Sequence, residues 1–179
     1  MKKLSKKIMA VVLSMLLSVV MVATVYAQQL EDADFANIAE ITNARNYVTE
    51  DGVRSIATPY GMMISSVDMI LTYKGHGEVD VYSEILCHES ASKIRMKVYL
   101  EKWNASSSSW DTVDSKSYIW TSAEYGDDLS MAMVNYNVFG IGAGTYRLRG
   151  SFSARALNSS LSEAWAHTTP QLIIGSGTS

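Results

Sequence analysis

The chain is poor in the residues that staple or catalyse. Among 179 residues there are one cysteine, two prolines and three histidines. A lone thiol, Cys87, excludes an internal disulfide, even in a compartment that permits one. It also lies too far along the chain to carry a lipoprotein anchor. Pro59 and Pro170 leave the stretch between them free of ladder-breaking residues, as central strands require. Beyond residue 27 no apolar run is long enough to cross a bilayer; Leu172-Ile173-Ile174 is far too short. Read linearly, the sequence shows no Ser-His-Asp arrangement, no Gly-rich phosphate loop and no basic patch interleaved with aromatics.

What is present starts with Lys2, Lys3, Lys6 and Lys7, then an apolar or small stretch from Ile8 to Val25, then Val25-Tyr26-Ala27. A charged n-region, an h-region and small residues at the peptidase positions predict a secretory signal peptide over 1–27. The cut is placed after Ala27, with Ala23 as the second choice. The competing reading is an uncleaved anchor, since the run approaches the ~18 residues that span a bilayer. The Val-x-Ala ending favours cleavage and a secreted, extracellular product. Loss of the four lysines leaves eleven cationic against eighteen acidic side chains, a net charge of −7. That argues against nucleic acid and anionic membrane surfaces as partners.

Residues 28–60 are acidic, with Glu31, Asp32, Asp34, Glu40, Glu50 and Asp51. They read as a flexible leader; the alternative is a short helix from Asp34 to Arg45, with Phe35, Ile38 and Ile41 at helical spacing. From residue 61 the hydrophobic period becomes two, the mark of half-buried strands. Met63, Val67, Met69, Leu71 and Tyr73 share a phase, and Lys74-Gly75-His76-Gly77 marks a turn. Val79, Val81, Ile85 and Cys87 alternate with Glu78, Asp80, Tyr82 and Glu84. Ile94, Met96, Val98 and Leu100 alternate with Arg95, Lys97, Tyr99 and Glu101. Strands are also expected over 110–120, 130–139 and within 162–174, the inward face of the second left open between Met131/Met133 and Ala132/Val134/Tyr136/Val138. Tyr146, Leu148, Gly150, Phe152 and Ala154 alternate with Arg147, Arg149, Ser151, Ser153 and Arg155. About seven strands with turns near every ten residues predict an all-β, two-sheet antiparallel sandwich over 61–174, with a loose tail at 175–179.

The serine run 106–109 predicts a hairpin in which Trp103 faces Trp110. In that register Leu100 meets Val113 and Ile94 meets Ile119 on the dry side. Tyr99 meets Asp114, Arg95 meets Tyr118 and Lys97 meets Lys116 on the wet side. A one-residue slip would put Val113 and Ile119 in water.

Gly142-Ala143-Gly144-Thr145-Tyr146-Arg147-Leu148-Arg149 resembles strand F of immunoglobulin-like and fibronectin-like sandwiches. The resemblance implies that Tyr146 bonds backward to the backbone as a tyrosine corner. The paired cysteines of antibody domains are absent. The stretch from about Ser65 to Ile174 also resembles a family of small secreted proteins of Gram-positive bacteria. It shares their strand ending in Leu100 and Lys102, the Ser-rich loop, Trp110 and Val113, and the Gly144–Arg147 strand. That resemblance implies export and a sandwich and says nothing of activity.

Candidate chemistry is thin. Cys87 and His88 are strand neighbours pointing to opposite faces, so they cannot share a proton; Cys87 reads as a small core residue. His76 and Glu78 are close, but His88 lies roughly 33 Å along the strand from Glu78, too far for one zinc ion. Nothing places His167 beside them. Glu124-Tyr125-Gly126-Asp127-Asp128 lacks the spacing of a calcium loop. Glu78, Asp80 and Glu84, joined by Glu101, would be the carboxylates of an exported glycan hydrolase. No catalytic residue, metal site or cofactor is assigned. Tyr82, Tyr99, Trp103, Tyr118 and Trp120 fall on polar phases, as aromatics do at a binding surface, and Arg95, Tyr99, Trp103, Tyr118 and Trp120 are the residues expected to form a ligand or partner surface. The expected product is a secreted, non-enzymatic binding module for a glycan or a protein partner. The alternatives are that hydrolase and a structural subunit joined through sheet edges.

Overall fold

The computed structural model describes residues 38–175. The expected signal peptide, the first ten residues of the expected leader and the last four residues of the tail lie outside the described residues.

Among the described residues eleven strands form: eight within 61–174, where about seven are expected, and three before it. They are β1 (Ala39–Glu40), β2 (Ala44–Val48), β3 (Gly52–Ala57), β4 (Ile64–Gly75), β5 (Glu78–Cys87), β6 (Ala91–Asn104), β7 (Ser109–Thr121), β8 (Met131–Phe139), β9 (Gly144–Ala156), β10 (Ser162–Thr168) and β11 (Leu172–Ile174). A four-residue helix, α1 (Ser122–Tyr125), links β7 to β8. One sheet has the order β1-β10-β9-β6-β7, with β11 also on β9; the other has the order β2-β3-β4-β5-β8. All pairings are antiparallel except β1 with β10. The two sheets pack as a sandwich, the predicted fold class. Contacts set their alignment: β10 lies over β3, β9 over β4 and β7 over β8.

Alternation builds the core. Val53, Val67, Met69, Leu71, Val79, Val81 and Ile85 face Ile94, Met96, Val98, Leu100, Tyr146, Leu148 and Phe152, all buried. Glycine is required at two points. The β4–β5 turn runs through Gly75, His76 and Gly77, all at positive φ, the geometry that suits the twist of a tight hairpin. At Gly150 a Cβ would sit 2.5 Å from the Phe152 ring and 3.0 Å from Met69 Sδ, so the bare backbone makes room for both. Tyr146 donates its hydroxyl hydrogen to the Gly142 carbonyl at 2.8 Å, closing the turn that opens β9. Thr169 fills the gap between β10 and β11: its hydroxyl accepts the Leu148 N–H at 3.0 Å and donates to the Pro170 carbonyl at 2.9 Å.

Three expectations are corrected. Residues 39–57 are neither leader nor helix: β2 and β3 extend the five-stranded sheet and β1 joins the other. The helical spacing of Ile38 and Ile41 is overridden because the chain crosses from one sheet to the other here. Second, the 93–121 hairpin holds Trp103 opposite Trp110 but contains a bulge between Leu100 and Glu101. Beyond it Leu100 meets Asp114, Tyr99 meets Ser115, Arg95 meets Ile119, Met96 meets Tyr118 and Ile94 meets Trp120. Val113 and Ile119 are left 44% and 41% exposed, while Tyr118 and Trp120 pack against the core. Two large rings bury more apolar area than a valine and an isoleucine, and a bulge is the device that shifts the phase. Third, Glu101 does not join Glu78, Asp80 and Glu84, because β5 and β6 belong to different sheets. The open choice on β8 is also resolved: Ala132 and Val134 are buried and Met131 and Met133 exposed.

Candidate functional site

Period two decides which side chains of the six-stranded sheet face outward. On β6 they are Lys93, Arg95, Lys97, Tyr99, Glu101 and Trp103; on β9 they are Arg147, Arg149, Ser151, Ser153 and Arg155. The β6–β9 register sets Lys93 opposite Arg155, Arg95 opposite Ser153, Lys97 opposite Ser151, Tyr99 opposite Arg149 and Glu101 opposite Arg147. On β7, before the bulge, Trp110 stands opposite Trp103 and Thr112 opposite Glu101. These strands thus present six cations and a single carboxylate on one face.

The groups touch one another. Arg147 donates from Nε to Glu101 Oε2 at 2.7 Å, and Arg149 Nε lies 3.6 Å from Glu101 Oε1. Glu101 is buried between them, so one carboxylate orients two guanidiniums. The Arg147 guanidinium lies 4.1 Å from the centre of the Trp110 ring, and Trp110 meets Trp103 edge-on at 5.4 Å. Arg149 and Lys97 both lie over Tyr99, at 4.9 and 5.0 Å. The result is a continuous ladder of alternating cations and rings, each contact worth roughly 0.5–1 kcal/mol at an exposed site. Flat rings offer stacking surface, and the guanidiniums offer forked hydrogen-bond donors. That arrangement can hold a ligand; it contains no nucleophile paired with a base.

The five predicted surface residues fall in two places. Arg95, Tyr99 and Trp103 are on this face, with Trp103 39% exposed and Arg95 buried. Tyr118 and Trp120 are on the opposite side of the sheet. They correct the polar-phase reading: their rings stack at 5.8 Å at the seam between β7 and β8, and burial raises the Tyr118 hydroxyl pKa. At that seam Lys116 lies 3.9 Å over the ring of Tyr136, whose hydroxyl pKa burial also raises, helped by Asp114. Lys97, Trp110, Arg147 and Arg149 are functional candidates that linear reading missed. The absence of a basic patch along the sequence is overturned in space, because β6 and β9 are separated by two strands in the chain and adjacent in the sheet. The alternation of Lys97-Tyr99 and Arg147-Arg149 with apolar neighbours was the available signal.

Other polar groups serve the framework. Ser55 Oγ on β3 bridges Asn46 Oδ1 and His167 Nε2, the latter at 2.7 Å, joining the two sheets through the core. Burial lowers the His167 pKa, against smaller upward pulls from the Ile41 backbone and the Glu40 charge. Glu163 on β10 accepts the backbone N–H groups of Met62 and Ile64. Burial raises its pKa, but the backbone bonds from residues 62–64 outweigh that and leave it lowered. Cys87 packs at the core margin, while His88 is exposed in the bend that follows.

On the outer face of the other sheet, Arg54 grips Asp68 with two nitrogens, Tyr82 donates to Glu84 at 2.7 Å and Asn137 to Glu78 at 2.6 Å. Among the described residues no three His, Cys, Asp or Glu side chains gather as metal ligands. No protein-family model matches the chain, and no curated protein matches it.

Proposed function

We propose that the protein is an exported, non-enzymatic binding module that acts through the outer face of its six-stranded sheet on an extracellular glycan. The observation that carries this reading is the contact ladder of Lys97, Tyr99, Arg149, Glu101, Arg147, Trp110 and Trp103. Trp103, exposed and braced edge-on against Trp110, offers a ring face that loses little freedom when a sugar stacks on it. Export rests on the basic and apolar opening of the sequence. Kinship with the small secreted sandwich proteins of Gram-positive bacteria, and with immunoglobulin-like sandwiches, rests on Leu100, Lys102, Trp110, Val113 and the Gly144–Arg147 strand.

The test is a glycan array probed with the full chain and with Trp103→Ala and Tyr99→Ala. We expect glycans retained by the wild type to be lost in both variants while the thermal transition stays cooperative. An array profile identical in all three proteins sinks the proposal.

A further inference from the structure

The geometry points to an acidic polysaccharide, one bearing carboxylate, sulfate or phosphate groups, as the ligand of this face. The inference rests on the binding reading above and deepens it. Three cations carry it: Lys97, Arg147 and Arg149. Arg147 and Arg149 share one carboxylate, Glu101, which is buried under their two guanidiniums. Arg147 spends only its Nε on Glu101. Arg149 touches the carboxylate at 3.6 Å, beyond hydrogen-bond length, and its side chain is 46% exposed. Lys97 meets a ring and no acid.

Five donors per guanidinium therefore leave most of the N–H groups of this pair without a protein acceptor. Glu101 and the rings nevertheless fix where both guanidiniums stand. Arg147 and Arg149 alternate on one strand, so they lie roughly 7 Å apart, a span that suits successive oxyanions along a chain. An oxyanion arriving here meets charge-assisted, forked donors whose ordering cost is already met. The net negative charge of the chain does not oppose this. Asp68, Glu78, Asp80 and Glu84 stand on the outer face of the other sheet, across the full thickness of the sandwich. Charges beyond about 8–10 Å through solvent are largely screened. The exposed ring of Trp103 beside the cations favours a sugar polymer over an acidic polypeptide, because pyranose faces stack and extended acidic peptides lack them.

The experiment measures affinity of the full chain for polygalacturonate, dextran sulfate, neutral dextran and poly-glutamate. It compares wild type, Arg149→Gln, Lys97→Gln, Trp103→Ala and, as an opposite-face control, Arg45→Gln. We expect polygalacturonate or dextran sulfate to bind, and the preferred one distinguishes carboxylate from sulfate recognition. Arg149→Gln and Lys97→Gln should each weaken that binding by about tenfold, and Arg45→Gln should leave it unchanged. Neutral dextran should bind at least about tenfold more weakly than the preferred acidic polymer.

Equal binding of dextran, with Arg149→Gln silent, overturns the acidic assignment and leaves the binding face standing. Poly-glutamate binding as tightly as polygalacturonate through the same residues overturns the glycan assignment. If no acidic polymer is retained while array ligands are still lost in Trp103→Ala, only this inference falls. A blank array as well removes the binding reading with it.

Discussion

At Cys87 and His167 burial sets the direction in which each side chain's proton affinity moves. Cys87 has its pKa pushed up to about 12, first by burial and then by the charge of Glu163. A thiol so far above neutrality is a poor nucleophile. At pH 8 the folded protein should react slowly with a disulfide reagent such as dithionitrobenzoate, and stoichiometrically once unfolded; immediate full labelling of the native state would contradict the assignment. The phase shared with Val79, Val81 and Ile85 made this side of Cys87 legible in the sequence.

His167 was not legible, because its partner Ser55 lies 112 positions away. Its pKa is lowered from 6.5, so in acid the unfolded chain binds a proton that the folded one resists. Its contribution to stability is complete above the unfolded value of 6.5 and is lost as pH falls below it. Urea unfolding at pH 7.5, 6.5 and 5.5 should show stability declining over the lower interval, and His167→Gln should flatten that decline. Parallel pH profiles for the two proteins would rule the linkage out.

At the scale of elements, the β6–β7 hairpin shows how far alternation reaches. Apolar phase predicts the strands, and the Trp103–Trp110 pairing at the turn is in place. The bulge is what alternation does not encode. Val113 and Ile119 look like core residues, and only competition with the larger rings of Tyr118 and Trp120 decides which set turns inward. The consequence is measurable. Tyr118→Ala and Trp120→Ala should each cost about 2 kcal/mol or more, whereas Val113→Ser and Ile119→Ser should stay within about 0.5 kcal/mol. The reverse ranking in denaturant melts would restore the unbulged register. The bulge and the charges of Asp114 and Lys116 also guard β7 as an edge strand, which weighs against assembly through that edge.

At the scale of the whole molecule, the domain begins earlier than composition suggests. Residues 39–57 are polar and acidic because β2 is an exposed edge and β1 spans two residues, so little hydrophobic contrast marks them. Their removal would strip β3 from the long central strand β4 and delete the Ser55–His167 link. A fragment beginning at residue 61 should therefore lose its cooperative thermal transition or aggregate through the bared β4 edge. A fragment melting as sharply and as high as the longer chain would show that β1–β3 are dispensable. Only at this scale does charge separate, with cations gathered on one outer face and the carboxylates of β4 and β5 on the other.

The sequence alone determined the all-β class, the inward residues of β4, β5, β6 and β9, and the outward placing of Tyr99, Trp103, Arg147 and Arg149. Those follow from a period that each strand carries within itself. Tertiary structure decided the β7 register, the entry of residues 39–57 into the sheets and the meeting of Arg147 and Arg149 with Glu101. Each of these depends on which strands become neighbours, and that choice is made by the combined burial of side chains far apart in the chain.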